Sequence, residues 1–226
     1  MLSLSPAELI ANAIVLLLAV VVHEYAHARV AFEMGDPTAK EQNRMTLDPR
    51  ANVWWPGYFI GVFIGFAILG SAPVNPSRMR NPRWGMFFAV LAGPVSNLIL
   101  ALLFAIPFWF IASLEPTFTS ARTGLFFWLP SPAFLLTRMI FLNILLFIFN
   151  LLPLFPLDGW TVAFAAFPPD TANWWERNRQ TTSIILGGLV LLSFFPIAGF
   201  DPLGVLLLQP SIQIMQLLLT GFGLFA

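Results

Sequence analysis

Residues 21–30 read VVHEYAHARV and hold both histidines of the chain, His23 and His27, with Glu24 beside the first. A helix of about 3.6 residues per turn brings positions i and i+4 onto one face, so both imidazoles can address a single ion while Glu24 stands next to them. This is the His-Glu-x-x-His pattern of helical zinc sites. Two histidines scattered at random in a chain of 226 residues would fall four apart roughly once in a hundred sequences, and the glutamate makes an accident rarer still. The preceding stretch, LIANAIVLLLAVVV at 9–22, carries one polar side chain, so the pattern lies inside an apolar helix. That combination sets the fold class: a membrane helix that bears a metal motif.

The totals agree. Hydrophobic residues make up 58% of the chain and charged ones 10%, against roughly half and a quarter in soluble domains. Net charge is zero and basic residues come in short arginine groups, which excludes a nucleic-acid surface and leaves the lipid bilayer as the expected partner. With no cysteine there is no disulfide and no thiolate ligand, so imidazole and carboxylate must hold any zinc. Apolar runs nearly throughout leave no room for a sizeable soluble domain. The first of them lacks a basic leader and continues into the motif, so it is expected to be retained rather than cleaved.

Around the motif, Ser5, Pro6 and Glu8 carry the signals of a helix start: N-cap, first-position proline and capping-box glutamate. The helix is expected to run to about Met34, where Gly35-Asp36-Pro37 stops it. Arg29 and Glu33 are spaced for a surface ion pair. Residues 36–56 are polar and turn-rich, and TAKEQNRMTLDP is read as short interfacial strands. The stretch YFIGVFIGFAILG at 58–70 has only about 13 residues and three glycines, too short for an ordinary crossing and suited to a re-entrant segment. A loop with Arg78, Arg80 and Arg83 precedes a long apolar helix from about Trp84 to Ser113. Its AGPVSN segment contains Gly93, Pro94 and Asn97; this is either a packing kink or a wall of an active site, and Asn97 needs a partner away from lipid. After a loop with Glu115 and Arg122, another apolar helix covers about 133–152 and ends in FNLLPLFPLDGW at 149–160. A short helix to about Phe167, a polar loop PPDTANWWERNRQ and two apolar stretches, 183–200 and 202–226, complete the chain.

A catalytic zinc takes three protein ligands and keeps one position open. Asp158 is the outstanding candidate for the third, an acid that follows some 20 apolar residues; an ordinary Asp-Gly turn at the interface is the alternative. A charge at mid-membrane costs about 2.5–3.5 kcal/mol on insertion scales, which favours a compensating cation. Basic loops collect on the cytoplasmic side. If 58–70 dips in and returns, most basic loop residues fall on that side, the loop around Arg122 lies opposite, and Asp158 reaches the membrane half that holds the histidines. A full crossing by 58–70 would put Asp158 on the other face.

The motifs HEYAH, APVNP with RNP, AGPVSN and FNLLPLFPLDG, in this order over about residues 8–200, resemble the site-2 protease family of intramembrane zinc metalloproteases, closest to its minimal bacterial branch without PDZ or CBS domains. The resemblance implies one zinc ion per chain held by His23, His27 and Asp158, Glu24 as the catalytic glutamate, and Asn150 assisting at the active site. It also implies a transmembrane protein as substrate; the mechanism expected at such a site adds Asn97 as a substrate-binding amide, and the basic loops place this multi-pass protein of the cell membrane with its site toward the cytoplasm. This chain has LFPLDG where the family often has a double proline before Leu-Asp-Gly, and NVWWPG where many members carry a His and an Asp-Pro.

The expected architecture is therefore an all-α polytopic membrane protein: three transmembrane helices, a re-entrant segment, short interfacial strands and additional C-terminal helices. It forms one integral-membrane metalloprotease domain over 1–226, with the core at about 6–160 and C-terminal helices at about 161–226. Two other readings stay open on residues alone: a metal-binding membrane protein that binds or chaperones membrane segments without cutting them, and a metal transporter. The transporter needs a polar path through both bilayer halves, whereas the ionisable groups gather toward one.

Overall fold

In the computed structural model, which describes residues 4–65, 70–112, 128–195 and 201–220, α1 spans Pro6–Glu33 and opens as its sequence dictates. The Ser5 hydroxyl accepts from the Glu8 amide at 3.3 Å while the Glu8 carboxylate accepts from the Ser5 amide at 2.7 Å. At about 1.5 Å per residue this helix is roughly 42 Å long, more than the ~30 Å hydrocarbon thickness of a bilayer. On its surface Arg29 Nε donates to Glu33 Oε1 at 2.9 Å. Beyond its end the Asp36 carboxylate, fully buried, accepts from Thr38 N at 3.0 Å and from Asn75 N at 2.6 Å, which ties the 71–81 loop to this end of α1.

The strands expected in 36–56 do not form. This region holds two single-turn helices instead, α2 at Thr38–Glu41 and α3 at Pro49–Asn52. Local capping chemistry accounts for the difference: Asp36 accepts from the Thr38 amide and Asp48 from the Arg50 amide, and prolines at 37 and 49 preset φ for a turn. The one β feature among the described residues is an isolated antiparallel bridge between Val53 and Gly70. Between those residues lies α4, Trp55–Ile64. Ten residues of helix reach only about 15 Å, half the bilayer. The bridge, with Ser71 N donating to Asn52 O at 3.2 Å, returns the chain to the point it left. The two ends of the segment thus lie together, as a re-entrant course requires. The segment is pinned along α1 by Asn12 Nδ2 to Val62 O at 2.9 Å and by Tyr58 Oη to Ala13 O at 2.7 Å.

Helix α5, Pro82–Ala112, packs against both α1 and α6, the latter at Pro132–Leu151. His23 faces Asn97 while His27 faces Ala89, so α1 and α5 run antiparallel. Together α1, α5 and α6 are the three described helices long and apolar enough to cross a membrane. Residues 113–127, with Glu115 and Arg122, lie outside the described residues. One apolar core, including Leu16, Val20, Tyr58, Leu142 and Leu146, joins α1, α4 and α6; a second, with Ala101, Phe108, Ile140 and Ile144, joins α5 and α6. The outward faces are apolar as well: Phe59, Phe63, Leu103 and Phe110 are exposed. Such faces would be a liability in water and are what hydrocarbon requires.

After α6 a tight turn leads to α7, Asp158–Ala166. Gly159 makes this turn sterically possible, because a Cβ there would lie 2.3 Å from Leu151 O at the end of α6. The stretch read as a polar loop is instead α8, Pro169–Arg177. Pro169 starts it, and Trp175 docks it by donating Nε1–H to Trp160 O at 3.2 Å. Then come α9, Arg179–Phe194, and, after a π-helical turn at Gly204–Leu208, α10 at Gln209–Leu219. Helix α10 packs on α5 and α6.

Candidate metal centre

One face of α1 carries His23, Glu24 and His27 into the space between α1, α5 and α7, and all three are buried. The 3.6-residue period does this without any special backbone. Asp158 arrives from the far end of the sequence, in the first turn of α7, where the helix N-terminus favours a carboxylate. The Nε2 atoms of His23 and His27 are 3.0 Å apart, and Asp158 Oδ2 lies 3.0 Å from the first and 3.4 Å from the second. Among the described residues these three form the group able to hold a metal ion.

Hydrogen bonding behind the rings decides what this triangle is. His27 Nδ1 lies 2.8 Å from the Ala89 carbonyl, which can only accept, so the ring proton sits on Nδ1. His23 Nδ1 lies 2.7 Å from Asn97 Oδ1 and donates to it. Both imidazoles therefore turn a lone pair at Nε2 toward the same point, and the enclosed Asp158 Oδ2, which accepts no hydrogen bond, adds a third. Three lone pairs at such distances repel one another unless a cation lies between them. Tetrahedral zinc at about 2.0–2.2 Å from each ligand sets its ligand atoms about 3.3–3.6 Å apart, near the triangle found here. The donor set, two neutral imidazoles and a carboxylate, is one that catalytic zinc uses.

The backbone of α5 leaves space on the open side. A Cβ on Gly93 would lie 2.3 Å from His27 Nε2 and 2.6 Å from His23 Nε2, so only glycine leaves a cradle for an ion. Next to it is a cavity of about 70 Å³, lined among others by His23, Glu24, Gly70, Asn150 and Asp158. It takes a few waters, since one needs about 10–15 Å³ of such volume, and is too small for a peptide segment. Glu24 Oε2 is buried in this wall without a hydrogen-bond partner, and the strap at Gly70 abuts the Glu24 side chain.

The structure thus brings His23, Glu24, His27 and Asp158 together and sets Asn150 in the cavity wall. The Asn150 amide donates back to Leu146 O at 3.0 Å, within its own helix. Asn97 also lines the cavity, with its amide engaged on both sides: Oδ1 on His23, Nδ2 on Asn143 Oδ1 at 3.0 Å and on Ala19 O at 3.4 Å. Asn143 and Ala89 are site residues that sequence reasoning does not assign, and Gly93 lies in the segment that it leaves open between a packing kink and an active-site wall. Asn143 leaves a visible trace, an amide in the apolar run FLNILL, and Gly93 leaves the AGPVSN interruption.

The family model described as Peptidase family M50 matches residues 11–127. "Putative zinc metalloprotease YwhC" of Bacillus subtilis is 36% identical over 204 residues, which cover 88% of this chain and 84% of that protein. "Putative zinc metalloprotease Rip2" of Mycobacterium tuberculosis is 28% identical over 175 residues, covering 75% of this chain and 62% of that protein. No solved structure matches the chain.

Proposed function

Because the chain belongs to peptidase family M50, we propose that it is an intramembrane zinc endopeptidase of the site-2 protease type, cutting peptide bonds in or near the transmembrane segments of other membrane proteins. The observation that carries this reading is the convergence of His23 Nε2, His27 Nε2 and Asp158 Oδ2 beside the buried Glu24 carboxylate, between helices long enough to span a bilayer. A pure metal store has no use for an acid that stands next to the ligands without a partner for its buried oxygen.

When bound, zinc supplies Lewis-acid activation of a water and polarisation of the scissile carbonyl. Glu24 takes the proton released in the attack and delivers it to the departing amine, a role suited to a carboxylate that lines the same cavity as the ligands. Asn150 swings its amide from Leu146 O to the oxyanion that develops, exchanging one acceptor for another. The low-dielectric surroundings of α1, α5 and α6 strengthen both contributions.

In this reading the protein is a multi-pass protein of the cell membrane with its site toward the cytoplasm. Lys40, Arg44, Arg78 and Arg80 gather beyond the end of α1 that follows His27; Arg80 N donates to Met34 O at 3.0 Å. The positive-inside rule assigns that end to the cytoplasm. The present cavity is too small for a peptide, so a substrate enters as an unwound segment and displaces part of the wall, with Gly70 on one side and the Pro156–Asp158 turn on the other.

The test uses purified full-length protein. Glu24→Gln is expected to keep zinc and lose proteolysis, and comparing the membrane proteome of cells that carry it with cells that carry the native protein should reveal the substrate as an uncut species. Retained cleavage by Glu24→Gln would remove the glutamate from the reaction.

A further inference from the structure

The ring of His23 is oriented by Asn97, but an amide presents either oxygen or NH2 unless something fixes it. The fixing group lies on the third helix. Asn143 is fully buried in the middle of α6, two turns before Asn150, in a position where an unpaired amide is costly. Its Nδ2 donates to Met139 O at 2.8 Å, a backbone carbonyl that can only accept, so its Oδ1 must face the other way. There it accepts from Asn97 Nδ2 at 3.0 Å. With Nδ2 so committed, Asn97 can turn only its oxygen to His23 Nδ1, 2.7 Å away. The remaining restraint on Asn97, Ala19 O at 3.4 Å, is long for a hydrogen bond.

We propose that Asn143 is a positioning residue of the metal centre: its side-chain oxygen locks the Asn97 amide with the oxygen toward His23, which keeps the His23 proton on Nδ1 and the lone pair of Nε2 on the ion. The direction of the relay is set by the Met139 carbonyl and passes from α6 through α5 to α1. Without the oxygen at 143 the Asn97 amide can turn over and offer NH2 to Nδ1. The neutral ring answers by moving its proton to Nε2, where it blocks the ligand position. Groups that orient ligands in this way typically carry about 10–100-fold of metal affinity.

This inference rests on the zinc reading of the cluster, and a double-mutant cycle separates the two. Asn143→Leu removes the oxygen at nearly constant size. Asn97→Asp gives His23 an acceptor that has no donor side to turn. Zinc dissociation constants of full-length wild type, Asn143→Leu, Asn97→Asp and the double variant are measured by competition with a chromophoric chelator, and visible spectra of the cobalt(II) forms report the ligand geometry. With Asn97 intact, Asn143→Leu is expected to weaken zinc about 10–100-fold and to change the cobalt spectrum, while in the Asn97→Asp background, where a carboxylate oxygen faces the Asn143 oxygen, the same substitution weakens zinc no further. Wild-type affinity in Asn143→Leu overturns the proposal, as does an equal loss in both backgrounds, which would make Asn143 a packing residue. A wild-type protein that binds no zinc overturns the metalloprotease reading itself. If leucine at 143 prevents folding, Asn143→Ala supports the same four-way comparison.

Discussion

Gly93 stands so close to His27 that a Cβ on it would lie 2.3 Å from the ring nitrogen that faces the other ligands. That distance is close to a zinc–nitrogen bond, about 2.0–2.1 Å. A side chain on α5 and an ion held by the three ligands would thus claim the same space, so the glycine matters to such a site as much as the residues that supply lone pairs.

Gly93→Ala should therefore exclude the ion. The methyl group meets His27 and His23 and cannot move away, because the α5 backbone is packed on α1. Elemental analysis of the purified variant should show zinc reduced at least about tenfold, while circular dichroism shows the native helix content. Gly187→Ala is the control: a Cβ there meets nothing within 4 Å, and zinc content should not change. Full zinc occupancy in Gly93→Ala would place the ion elsewhere.

Metal removal should loosen α7. Helices α1 and α7 lie far apart in the chain, and the candidate ligand set joins them through Asp158, so a bound ion would act as a clasp between distant segments. A ligand at about 100 times its dissociation constant stabilises the folded form by about 2.7 kcal/mol. Stripping zinc with a chelator should lower the thermal midpoint of the wild type, and zinc return should restore it. Asp158→Ala should start at the lower midpoint and respond to neither treatment. An unchanged wild-type midpoint would mean that the three groups hold no ion.

How far the sequence carries depends on the range of each interaction. His23, Glu24 and His27 are set on one face by the helical period alone, and the re-entrant course of the stretch after Trp54 follows from its shortness against the bilayer. Asp158 is accessible because acids in apolar surroundings are few and each needs a reason. The short turns of α2 and α3 pass for strands, since polar composition does not distinguish a capped turn from an edge strand, whereas the side chains of Asp36 and Asp48 do so once placed. Helix α8 passes for a loop because its position depends on Trp175 reaching Trp160 O in α7. Asn143 is visible as an oddity, but its partner Asn97 is 46 residues away, and nothing local connects the two.

Arg83, at the start of α5, holds the other end of the helix that carries Asp158. Its guanidinium donates to Ala165 O at 2.7 Å, Ala166 O at 3.0 Å and Phe167 O at 2.8 Å, three carbonyls at the C-terminus of α7. Those groups have no intrahelical partner, and a cation there suits the helix dipole. Arg83→Ala should cost about 1 kcal/mol or more, a fall of about 2–4 °C in thermal midpoint. Zinc affinity should weaken several-fold, because α7 then sets Asp158 less firmly. Arg83→Lys should recover only part of both, as one ammonium lacks the planar fork that serves three acceptors. Wild-type zinc affinity in Arg83→Ala would confine the arginine to stability alone.

The arrangement in the membrane can be tested cleanly because the chain contains no cysteine, so each introduced thiol reports alone. Arg80 and Trp128 are exposed and lie beyond opposite ends of α5, which is long enough to span. Trp54 is exposed at the base of the re-entrant segment. If Val53 and Gly70 meet because α4 dips in and returns, Trp54→Cys and Arg80→Cys should both react with an impermeant maleimide from the cytoplasmic face. Trp128→Cys should react only from the opposite face. The basic residues fix the sign of this pattern, since Lys40, Arg44, Arg78 and Arg80 lie on the Trp54 side. Labelling of Trp54→Cys and Arg80→Cys from opposite faces would make 55–70 a full crossing, and with it the approach of Asp158 to the histidines would be lost.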